Sequence, residues 1–139
     1  MTRIIDLLNH KNHYLEKFYS LNENELLNFS QNNFSNLESF YNTREKILET
    51  IRYIDSEIDQ VQQEQDVEAS PAQKREVSTC LNIKEEYVGR ILAQDLEVLS
   101  CIESAKSDII RELQDIRKAR KAVGSYKSRQ FNNRLDEEA

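Results

Sequence analysis

Apolar residues recur every three or four positions through most of this chain, and that spacing is typical of one face of a helix. The first such run extends from Ile4 to Phe29. It ends at the polar cluster SQNNFSN, residues 30–36, whose asparagine and serine side chains favour helix ends and turns. We therefore expect a first helix over about residues 3–31, followed by a short connection.

The same pattern resumes at Leu37 and continues to Val61, where the polar run QQEQDVEAS replaces it. This predicts a second helix over about residues 35–66. The apolar residues of this segment recur at helical spacing and do not alternate strictly with polar residues, as they would in a strand.

The clearest local signal is Ser70-Pro71-Ala72-Gln73. A serine at the N-cap, a proline at the first helical position and a glutamine three residues after the serine satisfy two rules for a helix start. The apolar period then persists to about Val123, so we expect a third helix over 71–123. Gly89 in its middle is compatible with a smooth helix or with a modest kink.

Helix lengths give the first indication of function. At 1.5 Å per residue the first two helices would each be roughly 45 Å long and the third roughly 80 Å. The sequence thus predicts an all-α protein, an elongated antiparallel three-helix bundle with a long third helix, in a single domain of 139 residues. Roughly six turns of that helix would lack a partner of matching length, which leaves its apolar positions for another helix, a second copy, or a bend back at Gly89.

Composition agrees with long helices, since the chain has two glycines, one proline and no tryptophan. Cys80 and Cys101 stand far apart without a CxxC pair, and we expect both to be buried, reduced thiols. The first residues, MTRIIDLLNHK, contain too many polar side chains for a signal peptide or a membrane span. We accordingly expect a cytoplasmic protein without membrane insertion.

Charge is divided unevenly along the chain. The net charge is −6, yet residues 117–134 contain seven basic residues and no acidic one. Residues 1–116, the body of the chain, are therefore strongly acidic. Nucleic acid is therefore not expected as the main partner, because phosphate binding needs an extended basic face. A basic arm on an acidic body leaves nucleic-acid binding as a minor alternative.

Catalytic and cofactor motifs are absent from the sequence. It contains no GxxxxGK[ST], GxGxxG or HExxH motif, and two glycines 35 residues apart cannot build a phosphate loop. His10 and His13 could share one helical face, but Lys17 one turn further would oppose a cation. We expect no enzyme, no cofactor and no metal site.

The stretch KAVGSYKSR, residues 121–129, combines a glycine, a tyrosine and several positive charges. Basic residues complement the negative end of a helix dipole, and Gly124 could close the helix in a left-handed conformation. Tyr126 falls beyond that expected end, where no core stripe requires an aromatic residue. Since tyrosine is favoured at interfaces, Tyr126 is a candidate contact residue.

The order of these parts resembles the flagellar type III export chaperones of the FlgN/FliT type. The resemblance is carried by the long first helix, by FYNTREKILETIRYID in the second, and by ILAQDLEVLSCIESAKSDIIRELQDIRKARKAVGSYKSR at the end of the third. It implies a small cytoplasmic helical protein that binds the helical terminal segment of hook-associated (hook–filament junction) or filament-cap proteins and delivers them to the export gate.

The resemblance also implies two sites. The cargo groove would lie on the third helix, at Leu99, Ile102, Ile109, Leu113 and Ile116. Tyr126 matches the family's tyrosine for docking on the cytoplasmic domain of the export gate. The alternative is a coiled-coil structural or adaptor protein whose third helix forms a homodimer.

Overall fold

The computed structural model describes residues 1–64 and 69–138, and for residues 126–138 it describes the backbone alone. Over these residues the chain forms three helices, α1 (Thr2–Ser30), α2 (Leu37–Glu64) and α3 (Pro71–Glu138), and no strand. The predicted all-α class and the three-helix bundle are confirmed. The elongated antiparallel arrangement stays a prediction. The final two residues predicted for the second helix, 65–66, lie outside the described residues.

The chain divides into two compact units. Unit 1 is Met1–Leu99 and contains α1, α2 and the first part of α3. Unit 2 is Ser100–Ala139 and contains the remainder of α3. The single domain expected from chain length stays a prediction.

The core of unit 1 is built from the apolar stripes of its three helices. One cluster joins Leu15 and Phe18 of α1 to residues of both other helices, namely Ile47, Ile51 and Ile91. A second cluster joins Ile4 and Leu8 to Cys80. Because these residues recur every three or four positions, each helix buries one face and leaves the opposite face to polar residues.

Two ion pairs connect α1 with α2 beside this core. The ammonium of Lys11 lies 2.6 Å from Asp55 Oδ1, and the guanidinium of Arg3 lies 3.8 Å from Glu57 Oε2. Both pairs link the first half of α1 to the last half of α2. Each pair keeps at least one side chain about half exposed, and pairs open to solvent contribute little stability, so the apolar core holds the two helices together.

The connection between α1 and α2 uses the asparagines of the polar cluster. Asn32 has a φ of 61°, a left-handed conformation that asparagine tolerates better than most residues. Asn33 Oδ1 accepts hydrogen bonds from the backbone nitrogen and hydroxyl of Ser35, at 3.1 and 2.6 Å. These contacts explain why α1 ends and a short connection follows at the position the sequence predicts.

α3 starts at the capping box that the sequence predicts. The backbone nitrogen of Gln73 donates to Ser70 Oγ at 3.2 Å, and the backbone nitrogen of Ser70 donates to Gln73 Oε1 at 3.1 Å. Pro71 occupies the first helical position, where its missing N–H group has no intrahelical partner to lose.

The end of α3 differs from the expectation. The helix passes through Gly89 and Gly124 and continues to Glu138 instead of ending near Val123. The left-handed closure predicted at Gly124 is wrong, because no glycine of the described residues has a positive φ. A glycine inside a helix costs only about 1 kcal/mol, and the following residues include the good helix formers Lys, Arg, Gln and Leu.

Candidate functional site: an exposed apolar face of α3

Unit 2 carries a row of aliphatic side chains on one face of α3. Ile109, Leu113 and Ile116 are 57%, 50% and 49% exposed, and Val123 is 53% exposed. Ile102 is partly buried. We call Ile102, Ile109, Leu113, Ile116 and Val123 the heptad face, because all but Leu113 recur every seventh residue.

Heptad spacing is the pattern by which one helix packs along another. Leu113 lies four residues after Ile109 and three before Ile116, the alternation of three and four that keeps a seam on one side of a helix. Aliphatic side chains exposed in such a row, rather than scattered singly, mark an interaction surface. Four of the predicted cargo residues, Ile102, Ile109, Leu113 and Ile116, belong to this face.

The fifth predicted cargo residue, Leu99, is the last residue of unit 1 and is 56% exposed. Two exposed residues of unit 2 are missing from the predicted set, Val123 and Ile110. The seven-residue spacing from Ile116 would have found Val123, had the helix not been expected to end there. Ile110 lies directly beside Ile109 and widens the apolar strip.

The heptad face includes a shallow depression on α3 of unit 2. It is lined by Ile116, Ala119, Arg120, Val123 and Gly124. The first four of these stand at positions i, i+3, i+4 and i+7, which is the set of four residues that forms a hole for a side chain of a facing helix. The small side chain of Ala119 and the missing side chain of Gly124 keep this hole open.

Charges on unit 2 change sign along α3. Residues 103–115 contain four acidic and two basic residues, a net charge of −2, whereas residues 116–125 contain four basic residues and no acidic one. By heptad spacing, Lys106 and Arg120 occupy the same kind of position as Leu113. The face therefore combines an apolar centre with two cationic positions in the row itself.

Tyr126 follows two residues after Gly124 and is helical in its backbone. Its side chain lies outside the part of the chain whose side chains the structure describes. The predicted role of Tyr126 in docking on the export gate stays a prediction.

No family model, curated protein or solved structure matches this chain. The family resemblance carried by the helix order and by residues 40–55 of α2 and 91–129 of α3 therefore stays a prediction. The geometry of the site has to support the function by itself.

A second apolar surface lies in unit 1. A groove of about 180 Å³ is lined in part by Leu48 of α2 and by Val88 and Leu92 of α3. Arg44 and Asp95 also line it, and Leu92 is 61% exposed. These aliphatic residues belong to the apolar periods of α2 and α3, and periodicity alone does not separate a fully buried position from the border of a groove.

Arg44 is held in place on three sides. Its guanidinium lies 4.9 Å from the ring centre of Phe18 and 5.4 Å from that of Phe40, and 3.4 Å from the Asp95 carboxylate. Arginine combines stacking on aromatic faces with ion pairing better than lysine does. The charges of Arg44 and Asp95 at the edge of this groove therefore neutralise each other, and the pair offers a charged partner no net charge.

Asp95 belongs to a buried polar network between α1 and α3. The fully buried Asn22 donates through Nδ2 to Gln94 Oε1 and Asp95 Oδ1, both at 3.2 Å. Gln94 Nε2 donates to Glu23 Oε1 at 2.8 Å and to the carbonyl oxygen of Tyr19 at 3.2 Å. These four hydrogen bonds join α1 to α3, although the buried Asn22 Oδ1 has no hydrogen-bond partner among the described residues.

The two histidines lie in an aromatic cluster. His10 and His13 flank Tyr14, with ring centres 5.2 and 5.8 Å from it, and the ammonium of Lys17 lies 5.0 Å from the centre of the Tyr14 ring. Among the described residues, no group of three or more His, Cys, Asp or Glu side chains is arranged to hold a metal ion.

The cysteines are both free, but only one is buried. Cys80 is 5% exposed, and its Sγ donates to Asn9 Oδ1 at 3.2 Å. Burial, and to a smaller extent the Glu76 carboxylate, raises the pKa of the Cys80 thiol. Cys101 is only partly buried, so the prediction of two buried thiols is wrong for this residue.

Within 1–64 and 69–138, no helix has the length and apolar character that crossing a membrane requires.

Proposed function

We propose that this protein is a flagellar export chaperone that binds the helical terminal segment of hook-associated or filament-cap proteins and delivers it to the type III export gate. The observation that carries the proposal is the row of half-exposed aliphatic side chains at Ile109, Leu113 and Ile116. A client helix lays its own apolar stripe along this row, the helix-in-groove mode of recognition. No bond is made or broken, and the protein acts by binding alone, in the cytoplasm.

The choice of a helix as ligand follows from the spacing of the face. An extended peptide needs a free sheet edge, and the described residues contain no strand. A small molecule needs an enclosed cavity, whereas the depression at Ile116 and Val123 is a shallow surface on a single helix. Residues repeated every seven positions match the stripe of another helix.

The expected affinity is moderate. Burying the exposed surface of the five side chains of the heptad face, four of them about half exposed, contributes at most about 1 kcal/mol each, and the client contributes a similar amount from its own side chains. Association and ordering costs offset at least about 4 kcal/mol of that gain. We therefore expect dissociation constants of roughly tens of micromolar.

Matched substitutions test whether the heptad face binds the client. Leu113→Asp places a charge in the centre of the face and should weaken binding of a client segment by about tenfold or more in a calorimetric titration. Ser107→Asp adds the same charge at an exposed position outside the face and should leave the affinity within about twofold. Equal loss in both variants, or in neither, would contradict the assignment of the client site to this face.

The export gate is proposed as the second partner. Tyr126 is assigned to it from the resemblance alone, and a docking residue beyond the heptad face would let the chaperone hold its client while it meets the gate. The cytoplasmic domain of the gate is the partner with which this assignment is tested.

A further inference from the structure

The heptad face of unit 2 has the features of a surface that pairs with a second copy of itself. One helix carries both exposed apolar side chains and a hole that accepts such a side chain. Each of two copies can therefore insert an apolar side chain, the knob, into the hole of the other. This inference does not rest on the proposed function, because it uses the geometry and charge of α3 alone.

Two basic residues in the apolar row determine whether the copies pair in parallel or antiparallel. Lys106 and Arg120 stand in the apolar row by heptad spacing. In a parallel pair in register, each would face its own copy, and two like charges would meet inside the interface. In an antiparallel pair each faces an aliphatic side chain instead, along which its own aliphatic stem can lie.

The overall charge of the two halves favours the same direction. Residues 103–115 have a net charge of −2 and residues 116–125 a net charge of +4. Antiparallel pairing places the acidic half of each copy beside the basic half of the other, whereas parallel pairing places the basic halves together. Charges that flank an apolar seam select partner and orientation in this way.

The hole on α3 determines which residues of the two antiparallel helices face each other. It is formed by Ile116, Ala119, Arg120 and Val123, and the knob that enters it has to be an exposed aliphatic residue in the acidic half. An antiparallel pair centred between Gln114 and Asp115 brings Ile109 to this hole. The same register sets Leu113 of one copy against Ile116 of the other.

We propose that two copies of this chain pair antiparallel along the heptad face of α3, with Ile109 of each copy in the hole formed by Ile116, Ala119, Arg120 and Val123 of the other. In this register Arg120 faces Ile109 and Lys106 faces Val123. A client helix and the second copy then occupy the same residues, so binding of one excludes the other.

Cysteine cross-linking tests both the direction and the register. Cys80→Ala and Cys101→Ser remove the native thiols from the full chain, and Ile109→Cys or Arg120→Cys then introduces a single new one. An equal mixture of these two variants under mild oxidation should form the mixed disulfide at least about tenfold faster than either symmetric disulfide. Preference for the symmetric disulfide at position 109 would mean a parallel pair and would overturn the proposal.

The mass of the native chain in solution, followed from about 1 µM to about 1 mM, gives the strength of pairing. We expect a reversible shift from monomer to dimer within this range, and a monomer throughout would overturn the proposal. Ile109→Asp should weaken the dimer by about 100-fold, whereas Ser107→Asp, with the same added charge outside the face, should change it by less than about threefold. Circular dichroism of both variants identifies a loss of folding, and in that case the cross-linking result decides.

Discussion

Ile116 and Val123 lie seven residues apart on α3 and border the same shallow hole, with Ala119 and Arg120 between them. Both aliphatic side chains are about half exposed, at 49% and 53%. A globular core leaves few such residues in a regular row, so this relationship is the main support for the proposal that α3 packs against a helix from another chain.

The capping box at the start of α3 should be measurable in stability. Ser70→Ala removes the Oγ acceptor of the Gln73 backbone nitrogen and should lower the free energy of unfolding by about 1 kcal/mol. Urea unfolding followed by circular dichroism measures the change. Ser78→Ala, at an exposed position within the same helix, is the matched control and should be neutral or slightly stabilising.

Arg44 should not be replaceable by lysine. Arg44→Lys keeps the charge but loses the planar group that stacks on Phe18 and Phe40, and should lower the free energy of unfolding by about 1 kcal/mol. Arg52→Lys, whose side chain is 66% exposed, should change stability by less than about 0.5 kcal/mol. Equal effects of the two substitutions would show that the stacking of Arg44 on the two rings does not contribute to the free energy of unfolding.

The two thiols should differ in reactivity. Cys80 is buried and its pKa is raised, so at neutral pH it carries less of the reactive thiolate, and reagents reach it poorly. Cys101 is partly buried and should react with a thiol reagent faster by roughly tenfold or more in the native protein. Mass spectrometry of the labelled chain assigns the sites, and equal rates that persist under native conditions would contradict the packing of Cys80.

Tyr126 should separate the two proposed partners. Tyr126→Ala should weaken binding to the cytoplasmic domain of the export gate by about tenfold or more while leaving client affinity unchanged. Tyr126→Phe, which keeps the ring, distinguishes an aromatic contact from a hydroxyl contact. If both partners are affected equally, or neither is, the role assigned to Tyr126 is wrong.

Much of the fold could be predicted from the sequence because its signals are local. The α1–α2 connection follows from the asparagines and serines at 30–36, and the start of α3 follows from Ser70 and Pro71. The end of α3 was missed, since a glycine after basic residues is a common helix end but not a required one. Neighbouring helix formers outweigh the cost of Gly124.

The burial of two polar residues of α1 could not be predicted from the sequence. Asn22 and Glu25 lie at core positions of α1, at 0% and 4% exposure, although polarity predicts a surface location. Asn22 is held by a hydrogen bond to Gln94 on another helix, which the sequence does not reveal. Glu25 accepts a hydrogen bond from Asn28 of its own helix, and its Oε1 has no hydrogen-bond partner among the described residues. The heptad face, by contrast, could be predicted in large part, because its aliphatic residues repeat at a fixed interval.

Self-pairing and client binding compete if both proposals hold. The apparent affinity for a client helix should then fall as the protein concentration rises above the dimer dissociation constant. Titrations at two protein concentrations, one below and one above that constant, measure the effect. An affinity independent of concentration would mean that the client binds elsewhere than on the heptad face.

The most direct test of the central claim is a calorimetric titration of the purified full chain with the helical terminal segments of hook–filament junction and filament-cap proteins. We expect one client segment per chain, with a negative heat-capacity change that reports burial of apolar surface. Absence of binding to every segment, by a folded chain that forms a stable dimer, would contradict the chaperone function and favour a coiled-coil adaptor.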